Sequence, residues 1–238
     1  MMLSTNTSAN AKRGVFISLD GIDGAGKTTH FQAIQAWMTQ QNLPFVMTRE
    51  PGGTPLGESL RALLLDPTTL ISNETECLLM FAARQQHLQD VIEPALAQGT
   101  HVISDRFTDA TFAYQGGGRG FDLEVLSILE LWVQAVPALE ANMVRNPALT
   151  LLFELSPEMA AERLADARVP DKFEAQPVEF FRSVVRGYAA RAAASPARFA
   201  HIDAAQTRDQ VWQQVWATCW LVYTSDAADE TPLAELRG

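Results

Sequence analysis

Short apolar segments alternate with longer amphipathic ones along the chain. Five short segments are rich in β-branched and aromatic residues and are apolar at nearly every position: Gly14–Asp20, Phe45–Thr48, His101–Asp105, Thr150–Leu155 and Phe199–Asp203. Strands covered on both faces of a sheet show this continuous hydrophobicity, whereas strands with one solvated face alternate apolar and polar residues. The pattern therefore predicts five buried strands.

Helical periodicity fills the intervals between these strands. The predicted helices are Thr28–Gln41, Pro55–Leu65, Glu74–Ala97, Leu123–Ala138, Pro157–Arg168, Pro177–Ala194 and Arg208–Val222. Alternation of strands and helices implies a parallel sheet with helices on both faces. We predict a three-layer α/β fold with a five-stranded parallel sheet, and we expect ligands at the carboxyl ends of the strands.

The two ends of the chain differ from its middle. Residues 13–222 are predicted to form one domain, and the polar residues 1–12 and 223–238 are predicted to be flexible tails. No apolar run approaches the roughly 20 residues that a membrane span requires. The N-terminus also lacks a hydrophobic signal region, so we expect a cytoplasmic protein without a membrane partner.

Composition and charge narrow the class of partner. The chain is 47% hydrophobic and 19% charged, which is typical of a globular α/β protein. Its formal net charge of −10 would repel a polyanion, so we expect no nucleic-acid partner. Cys77 and Cys219 form no metal-binding pattern and are interpreted as reduced, apolar filling residues.

A phosphate-binding loop follows the first predicted strand and opens the first helix. The segment GIDGAGKT matches G-x-x-x-x-G-K-[ST], with its lysine placed for the β- and γ-phosphates and its last hydroxyl for Mg²⁺. No guanine-reading NKxD motif occurs, which argues against a GTPase. The candidate ATP-binding residues are Gly21, Ile22, Asp23, Gly24, Ala25, Gly26, Lys27, Thr28 and Thr29.

Three further segments carry candidate acceptor residues. TREPGGT, after the second strand, supplies Arg49, Glu50 and Pro51. Phe81 and Arg84 lie three residues apart on one helical face, which suits a nucleobase, whereas His87 is interpreted as a helix-surface residue.

The end of the third strand carries an adjacent carboxylate and guanidinium. Asp105 is placed to hold a metal through water, and Arg106 to neutralise phosphoryl charge. Such a pair at the end of a buried strand is costly unless a ligand or partner uses it. Thr111, Tyr114 and Gln115 follow as further candidates.

These motifs occur together in one order. GIDGAGKTT, TREPGGT, LLMFAARQQH, DRFTDATFAYQGGGRG and DKFE resemble the bacterial thymidylate kinases, a family of P-loop nucleoside monophosphate kinases, over nearly all of residues 13–222. The resemblance implies transfer of the ATP γ-phosphoryl group to dTMP, giving dTDP and ADP for dTTP biosynthesis. It also implies a Mg²⁺ cofactor and a homodimer.

The same resemblance implies roles for individual acceptor residues. Asp23 receives the 3′-OH of dTMP, and Arg49 and Arg106 surround its phosphate, with Glu50 and Pro51 at the rim. Phe81 stacks on thymine, or Met80 does so if the helix register slips by one, and Arg84 donates to O4. Thr111 and Gln115 read the base edge. Tyr114 disfavours a ribose 2′-OH.

The catalytic groups are inferred in the same way. Thr28 holds Mg²⁺ directly and Asp105 through water, while Lys27 and Arg106 offset developing charge. The family's lid corresponds to about residues 163–176, where Arg163 and Lys172 are candidates for ATP and Arg168 for catalysis, with Lys172 as the second choice. The lid departs from the arginine-denser family pattern, and residues 137–148 also diverge.

Two other functions remain open from the residues. A deoxynucleoside kinase would phosphorylate a 5′-hydroxyl and need a carboxylate base, for which Glu50 is available. A non-catalytic ATP-binding regulator would keep the phosphate loop without turnover. The TREPGGT segment and the lid favour a phosphate acceptor.

Overall fold

The computed structural model describes residues 13–135, 144–164, 173 and 176–227, with only the backbone described for 222–227. Five parallel strands form one sheet in the order β2-β3-β1-β4-β5. Their bounds are β1 Phe16–Asp20, β2 Phe45–Arg49, β3 His101–Asp105, β4 Leu149–Glu154 and β5 Phe199–Asp203. Each predicted strand is present with its ends moved by two residues or fewer, and the predicted fold class is confirmed.

Helices cover both faces of the sheet. Their bounds are α1 Lys27–Gln40, α2 Pro55–Leu65, α3 Asn73–His87, α4 Glu93–Ala97, α5 Thr108–Thr111, α6 Leu123–Gln134, α7 Pro157–Leu164, α8 Val178–Ala194 and α9 Arg208–Ala227. Phe16 of β1 packs in a cluster with Cys77 of α3, whereas its neighbour Ile17 packs in a second cluster with Ile34 of α1. Successive strand residues face opposite layers, which explains why the strands are apolar throughout.

Among the described residues, three helices differ from their predicted bounds by more than two residues. The helix predicted over Leu123–Ala138 ends at Gln134, because Ala135 takes an extended conformation. The predicted helix Pro157–Arg168 is described only as far as Leu164.

The predicted helix Glu74–Ala97 consists of α3 and α4 joined by a π-helical segment, Leu88–Ile92. The backbone of α9 continues to Ala227, beyond the predicted end of this helix at Val222, through a segment that no glycine or proline interrupts.

The helical segment 108–118 was not predicted. It consists of α5 followed by a π-helical segment, Phe112–Gly118, whose three glycines resemble a turn in the sequence. A Cβ on Gly117 would lie 2.7 Å from the carbonyl oxygen of Ser183 in α8. The glycine therefore allows close packing of this segment against α8, which positions the neighbouring Tyr114 and Gln115.

The divergent region before β4 does not prevent this strand from pairing with β1. The backbone N–H of Ala148 donates to the carbonyl oxygen of Phe16 at 2.8 Å, which leads into the pairing of β4 with β1. Residues 136–143 of this region lie outside the described residues, as do both predicted tails except residues 223–227. Among the helices described, none is both long and apolar enough to cross a membrane.

Candidate active site

The phosphate loop connects β1 to α1 at the carboxyl edge of the sheet. Helix α1 begins at Lys27, directly after Gly26, and neither a side-chain cap nor an acidic residue occupies its first turn. The N–H groups at this helix end therefore lack a side-chain acceptor, and the helix dipole adds partial positive charge. An anion fits this end of the helix.

Lys27 lies against the loop that precedes it. Its Nζ donates to the carbonyl oxygens of Gly21 and Ile22, each at 2.8 Å. Burial lowers the pKa of Lys27, and the nearby Arg106 lowers it further. A phosphate group at the loop would supply the negative charge that this buried ammonium lacks.

Asp23, Arg106 and Tyr114 form one hydrogen-bonded group beside the loop. Arg106 Nη2 donates to Asp23 Oδ1 at 2.6 Å, and Tyr114 Oη donates to Asp23 Oδ2 at 3.0 Å. Burial would raise the pKa of Asp23, but the charges of Arg106 and Lys27 outweigh burial and lower it to about 2. Asp23 is therefore ionised at neutral pH.

Arg106 adopts an uncommon backbone conformation. Its φ is 70°, in the left-handed region that residues with a Cβ rarely occupy, and Ser104 Oγ donates to its carbonyl oxygen at 2.7 Å. Strain of this kind persists where the surroundings determine it, and it is concentrated at functional sites. Here it accompanies a guanidinium directed at Asp23 and Tyr114.

Asp105 ends β3 beside this group. Its Oδ1 is buried and has no hydrogen-bond partner among the described residues. The side chain lines the same cavity as the exposed Thr28. An unpaired carboxylate oxygen and a hydroxyl are suitable ligands for Mg²⁺, directly or through water, so these residues fit the cofactor.

Arg106 has two neighbours among the five arginines that line the cavity. They are Arg49, which pairs with Glu58 at 2.7 Å, and Arg61, whose Nη1 donates to the carbonyl oxygen of Pro51 at 3.0 Å. Burial lowers the pKa of Arg61, as do Arg49 and Arg106. Mutually repelling guanidinium groups in one cavity are suited to an anionic ligand.

Arg84 forms the inner wall of the cavity. Its Nε donates to Glu50 Oε2 at 2.8 Å and its Nη2 donates to Thr111 Oγ1 at 2.9 Å. Nη1 is buried and without a hydrogen-bond partner among the described residues. Arg84 also lines the cavity, so this unpaired donor belongs to a residue that borders the ligand space.

The residue of α3 that faces the cavity is not the one predicted to stack on the base. Phe81 is 2% exposed and does not line the cavity; its ring lies 4.8 Å from the guanidinium carbon of Arg84. Met80, the alternative raised from the sequence, lines the cavity instead. The prediction for Phe81 is wrong in position because an (i, i+3) relation to Arg84 puts the ring beneath the guanidinium.

Most of the predicted residues meet in one cavity of about 530 Å³. Those that line it are Asp23, Gly24, Gly26, Lys27, Thr28, Arg49, Glu50, Pro51, Arg84, Asp105, Arg106, Thr111, Tyr114, Gln115 and Arg163. Gly21, Ile22, Ala25 and Thr29 belong to the loop and α1 but do not line it.

The lid is described only in part. Arg163 lies at the end of α7, where its Nη2 donates to the carbonyl oxygen of Ala204 at 3.0 Å. Arg163 and Phe173 both line the cavity. The predicted residues Arg168 and Lys172 lie outside the described residues.

Sequence reasoning misplaced His87 and missed six cavity residues: Arg61, Leu65, Phe107, Ala110, Leu164 and Phe173. Arg61 and Leu65 line the cavity from one face of α2, and their (i, i+4) spacing after TREPGGT was the available signal. His87, expected on a helix surface, is fully buried and hydrogen-bonded to Glu50. That expectation was wrong because a polar residue on a helix can also face the protein interior when polar partners meet it there, as Glu50 and Thr48 do here.

Comparisons with known proteins agree with this geometry. The thymidylate kinase family model matches residues 19–215. The thymidylate kinases of Albidiferax ferrireducens and Verminephrobacter eiseniae are 59% and 56% identical to the chain, covering 85% and 86% of it and 93% and 90% of their own lengths. The crystal structure of thymidylate kinase from Ehrlichia chaffeensis superimposes with a TM-score of 0.67 at 30% identity, covering 87% of this chain and 99% of that one. The chain therefore belongs to the thymidylate kinase family.

Proposed function

We propose that the protein transfers the γ-phosphoryl group of ATP to dTMP, giving dTDP and ADP. The observation that carries this proposal is a single cavity that is bordered by an anion-binding helix end and by three neighbouring arginines, Arg49, Arg61 and Arg106. Two anionic phosphate groups can meet there because Lys27 and Arg106 offset their charge. Membership of the thymidylate kinase family identifies the two substrates.

The donor phosphates are held by the loop and by the N-terminus of α1. Phosphoryl transfer needs little covalent chemistry from the protein, so alignment and charge supply most of the catalysis. Lys27 offsets charge on the β- and γ-phosphates, since its buried ammonium lies at the loop. Arg163 is placed to contact ATP from the lid side of the cavity.

The acceptor phosphate lies against Arg49, Arg61 and Arg106. Its oxygen is already ionised, so the attack needs no general base. Glu50, the carboxylate that a hydroxyl acceptor would need as its base, is held in place by Arg84 and His87, which donate to its two oxygens. This structural engagement of Glu50, together with the arginines, favours a monophosphate over a nucleoside as the acceptor.

Sugar and base have separate sites in the cavity. Asp23 accepts from the 3′-OH, and Tyr114, which is held by its bond to Asp23, disfavours a ribose 2′-OH. Arg84 Nη1 donates to a thymine carbonyl, while Thr111 and Gln115 lie at the base edge and Met80 packs on the ring. Gln115 is oriented by its own bond to Glu76 Oε1 at 2.9 Å.

Thr28 and Asp105 would hold Mg²⁺, Thr28 directly and Asp105 through water. The bound ion would neutralise charge on the β- and γ-phosphates.

Arg168 and Lys172 remain the predicted catalytic residues of the lid. We also propose that residues 13–222 carry the activity and that it takes place in the cytoplasm, where both substrates are found.

A homodimer is proposed from exposed apolar residues on three adjoining helices. Helix α2 packs on α3, and α3 packs on α6. The exposed apolar side chains are Leu56 and Leu63 on α2, Leu78 on α3, and Leu123, Ile128, Leu131 and Trp132 on α6. Trp132 is 77% exposed, which is unusual for a tryptophan unless a partner covers it. Sedimentation equilibrium is expected to give twice the monomer mass, and a monomer at micromolar concentration would contradict the dimer.

The activity is tested by product analysis. The protein is incubated with ATP, Mg²⁺ and dTMP, and nucleotides are separated by anion-exchange chromatography. Equal amounts of dTDP and ADP are expected, with no ADP when dTMP is omitted. If ATP binds but no deoxynucleoside monophosphate releases ADP, the proposal is overturned in favour of a non-catalytic regulator.

A further inference from the structure

His87 is a fully buried polar residue with no role in the function proposed above. It is the last residue of α3 and connects this helix to the turn after β2. Its Nδ1 lies 3.0 Å from Glu50 Oε1, and its Nε2 lies 2.7 Å from Thr48 Oγ1. Both ring nitrogens are therefore used inside the protein.

The partners of the imidazole determine which nitrogen donates. The carboxylate of Glu50, paired with Arg84, accepts hydrogen bonds, so Nδ1 must carry the proton and donate to Oε1. In this tautomer Nε2 carries no proton and accepts from the hydroxyl of Thr48. The contact with Glu50 therefore involves a carboxylate that also pairs with Arg84, whereas the contact with Thr48 involves only a neutral hydroxyl.

Glu50 is fixed by two donors on opposite oxygens. His87 donates to Oε1, and Arg84 Nε donates to Oε2 at 2.8 Å. Without His87, Oε1 would be left unpaired in a buried site, and the carboxylate would be free to rotate away from Arg84. The position of the Arg84 guanidinium thus depends on His87 through Glu50.

Arg84, like Glu50, lines the cavity, and it is the residue that carries the unpaired donor. With Nε and Nη2 bound to Glu50 and Thr111, only Nη1 is left without a partner among the described residues. A guanidinium is planar, so fixing two of its nitrogens fixes the direction of the third. A small rotation at Glu50 would therefore redirect Nη1, the nitrogen that the proposed contact with the base uses.

The turn after β2 packs closely against the imidazole. Gly53 has a φ of 77°, and a Cβ at this position would lie 2.6 Å from both His87 Nε2 and Thr48 Oγ1. No other residue type fits without displacing the histidine. The TREPGGT turn and the end of α3 are thus built around one buried imidazole.

We propose that His87 is a positioning residue for nucleobase recognition, acting through Glu50 on Arg84 and not by contact with substrate. The inference rests on the proposed function, because it assumes that Arg84 donates to the thymine base. It predicts that the Nδ1 side of the imidazole determines affinity for dTMP, and that the Nε2 side contributes little.

Two substitutions separate the two sides of the ring. His87→Asn keeps an N–H near the position of Nδ1, and His87→Gln places its amide near Nε2. The dissociation constant for dTMP, measured by calorimetry, is expected to rise at least about 10-fold in His87→Gln and to stay within about threefold in His87→Asn. The dissociation constant for ATP should stay unchanged in both. Thr48→Val, which removes only the hydroxyl partner of Nε2, should bind dTMP like the wild type.

A second background tests whether the effect passes through Glu50 and Arg84. In the double variant Glu50→Gln/Arg84→Met, adding His87→Gln should not weaken dTMP binding further. An equal loss in both backgrounds, or wild-type affinity in His87→Gln with an unchanged thermal midpoint, overturns the inference. If His87→Gln fails to fold, His87→Asn must still bind like the wild type, and a 10-fold loss there overturns the inference. Tight dTMP binding by a wild type that forms no dTDP would refute the proposed function alone.

Discussion

The donor and acceptor sides of the cavity are built in different ways. The donor side comes from one contiguous loop and the first turn of α1, and it presents mainly backbone groups and Lys27. The acceptor side joins the turn after β2, helix α3 and the segment after β3 through side-chain hydrogen bonds. The donor side can therefore be recognised from a local motif, whereas the acceptor side depends on residues far apart in the chain.

Arg106 and Asp23 connect the two sides. Asp23 belongs to the phosphate loop, yet its carboxylate pairs with Arg106 and Tyr114 of the acceptor side. Arg106 in turn lies close enough to lower the pKa of Lys27. Substitutions elsewhere should therefore affect one side selectively, and this selectivity can be tested.

The largest expected effect is on the donor side. Lys27→Met should lower kcat by about 10²–10³-fold, because it removes a positive charge that acts on the transferring group. The fold should tolerate the change, since burial of the ammonium already disfavours its charged form. Stopped or coupled assays give kcat, and calorimetry should find the dTMP dissociation constant within a few-fold of wild type. A variant that kept normal kcat would remove Lys27 from the mechanism.

On the acceptor side, Arg84→Met should raise the dTMP dissociation constant by about 10–100-fold and leave ATP binding unchanged. The substitution also leaves Glu50 buried without its arginine, which should cost about 3–5 kcal/mol of unfolding free energy. Glu50→Gln/Arg84→Met removes that buried charge and should recover most of the stability while keeping the weak dTMP binding. Equal losses of ATP and dTMP affinity would show that the two sides are not separable.

The smallest effect on binding and turnover is expected at a buried carboxyl beneath the loop, where a substitution changes stability alone. Burial raises the pKa of Asp20 from 3.8 to about 7, assisted by the negative charge of Asp109. Between these pH values the folded protein keeps a proton that the unfolded chain has lost, so stability falls as pH rises. Asp20→Asn abolishes this loss, and its unfolding free energy relative to wild type should rise by about 3 kcal/mol between pH 4.5 and 8.

A matched control lies three residues further on. The pKa of Asp23 is lowered to about 2, so its stabilising contribution is complete above pH 4 and is lost only in stronger acid. The difference between Asp23→Asn and wild type should therefore be nearly constant from pH 4.5 to 8. Urea unfolding at the two pH values measures both variants, and a constant difference for Asp20→Asn would contradict the buried-carboxyl account.

The sequence predicted the parts of this structure that local rules determine. Continuous apolar runs identified all five strands, and the spacing of Gly21 to Thr28 identified the phosphate loop. It could not predict which face of α3 meets the cavity, since Met80 and Phe81 are adjacent and both apolar. Segment 108–118 was missed because its glycines serve close helix packing, which only the tertiary structure reveals.

The same limit explains the acceptor residues that were misjudged. His87 was assigned to the surface because a histidine near the end of a polar helical stripe is usually solvated. Its burial depends on Glu50 and Thr48, which lie 37 and 39 residues away in sequence. Arg61 was overlooked for a related reason, because its place in the cavity depends on how α2 packs after the turn.

The most direct test of the account compares dTMP with thymidine as acceptors under saturating ATP and Mg²⁺. The three arginines, and a Glu50 carboxylate held by Arg84 and His87, favour a phosphate over a hydroxyl as the acceptor. Coupled measurement of ADP release should therefore give rapid turnover with dTMP and none above background with thymidine. Release with thymidine but not with dTMP would contradict the account.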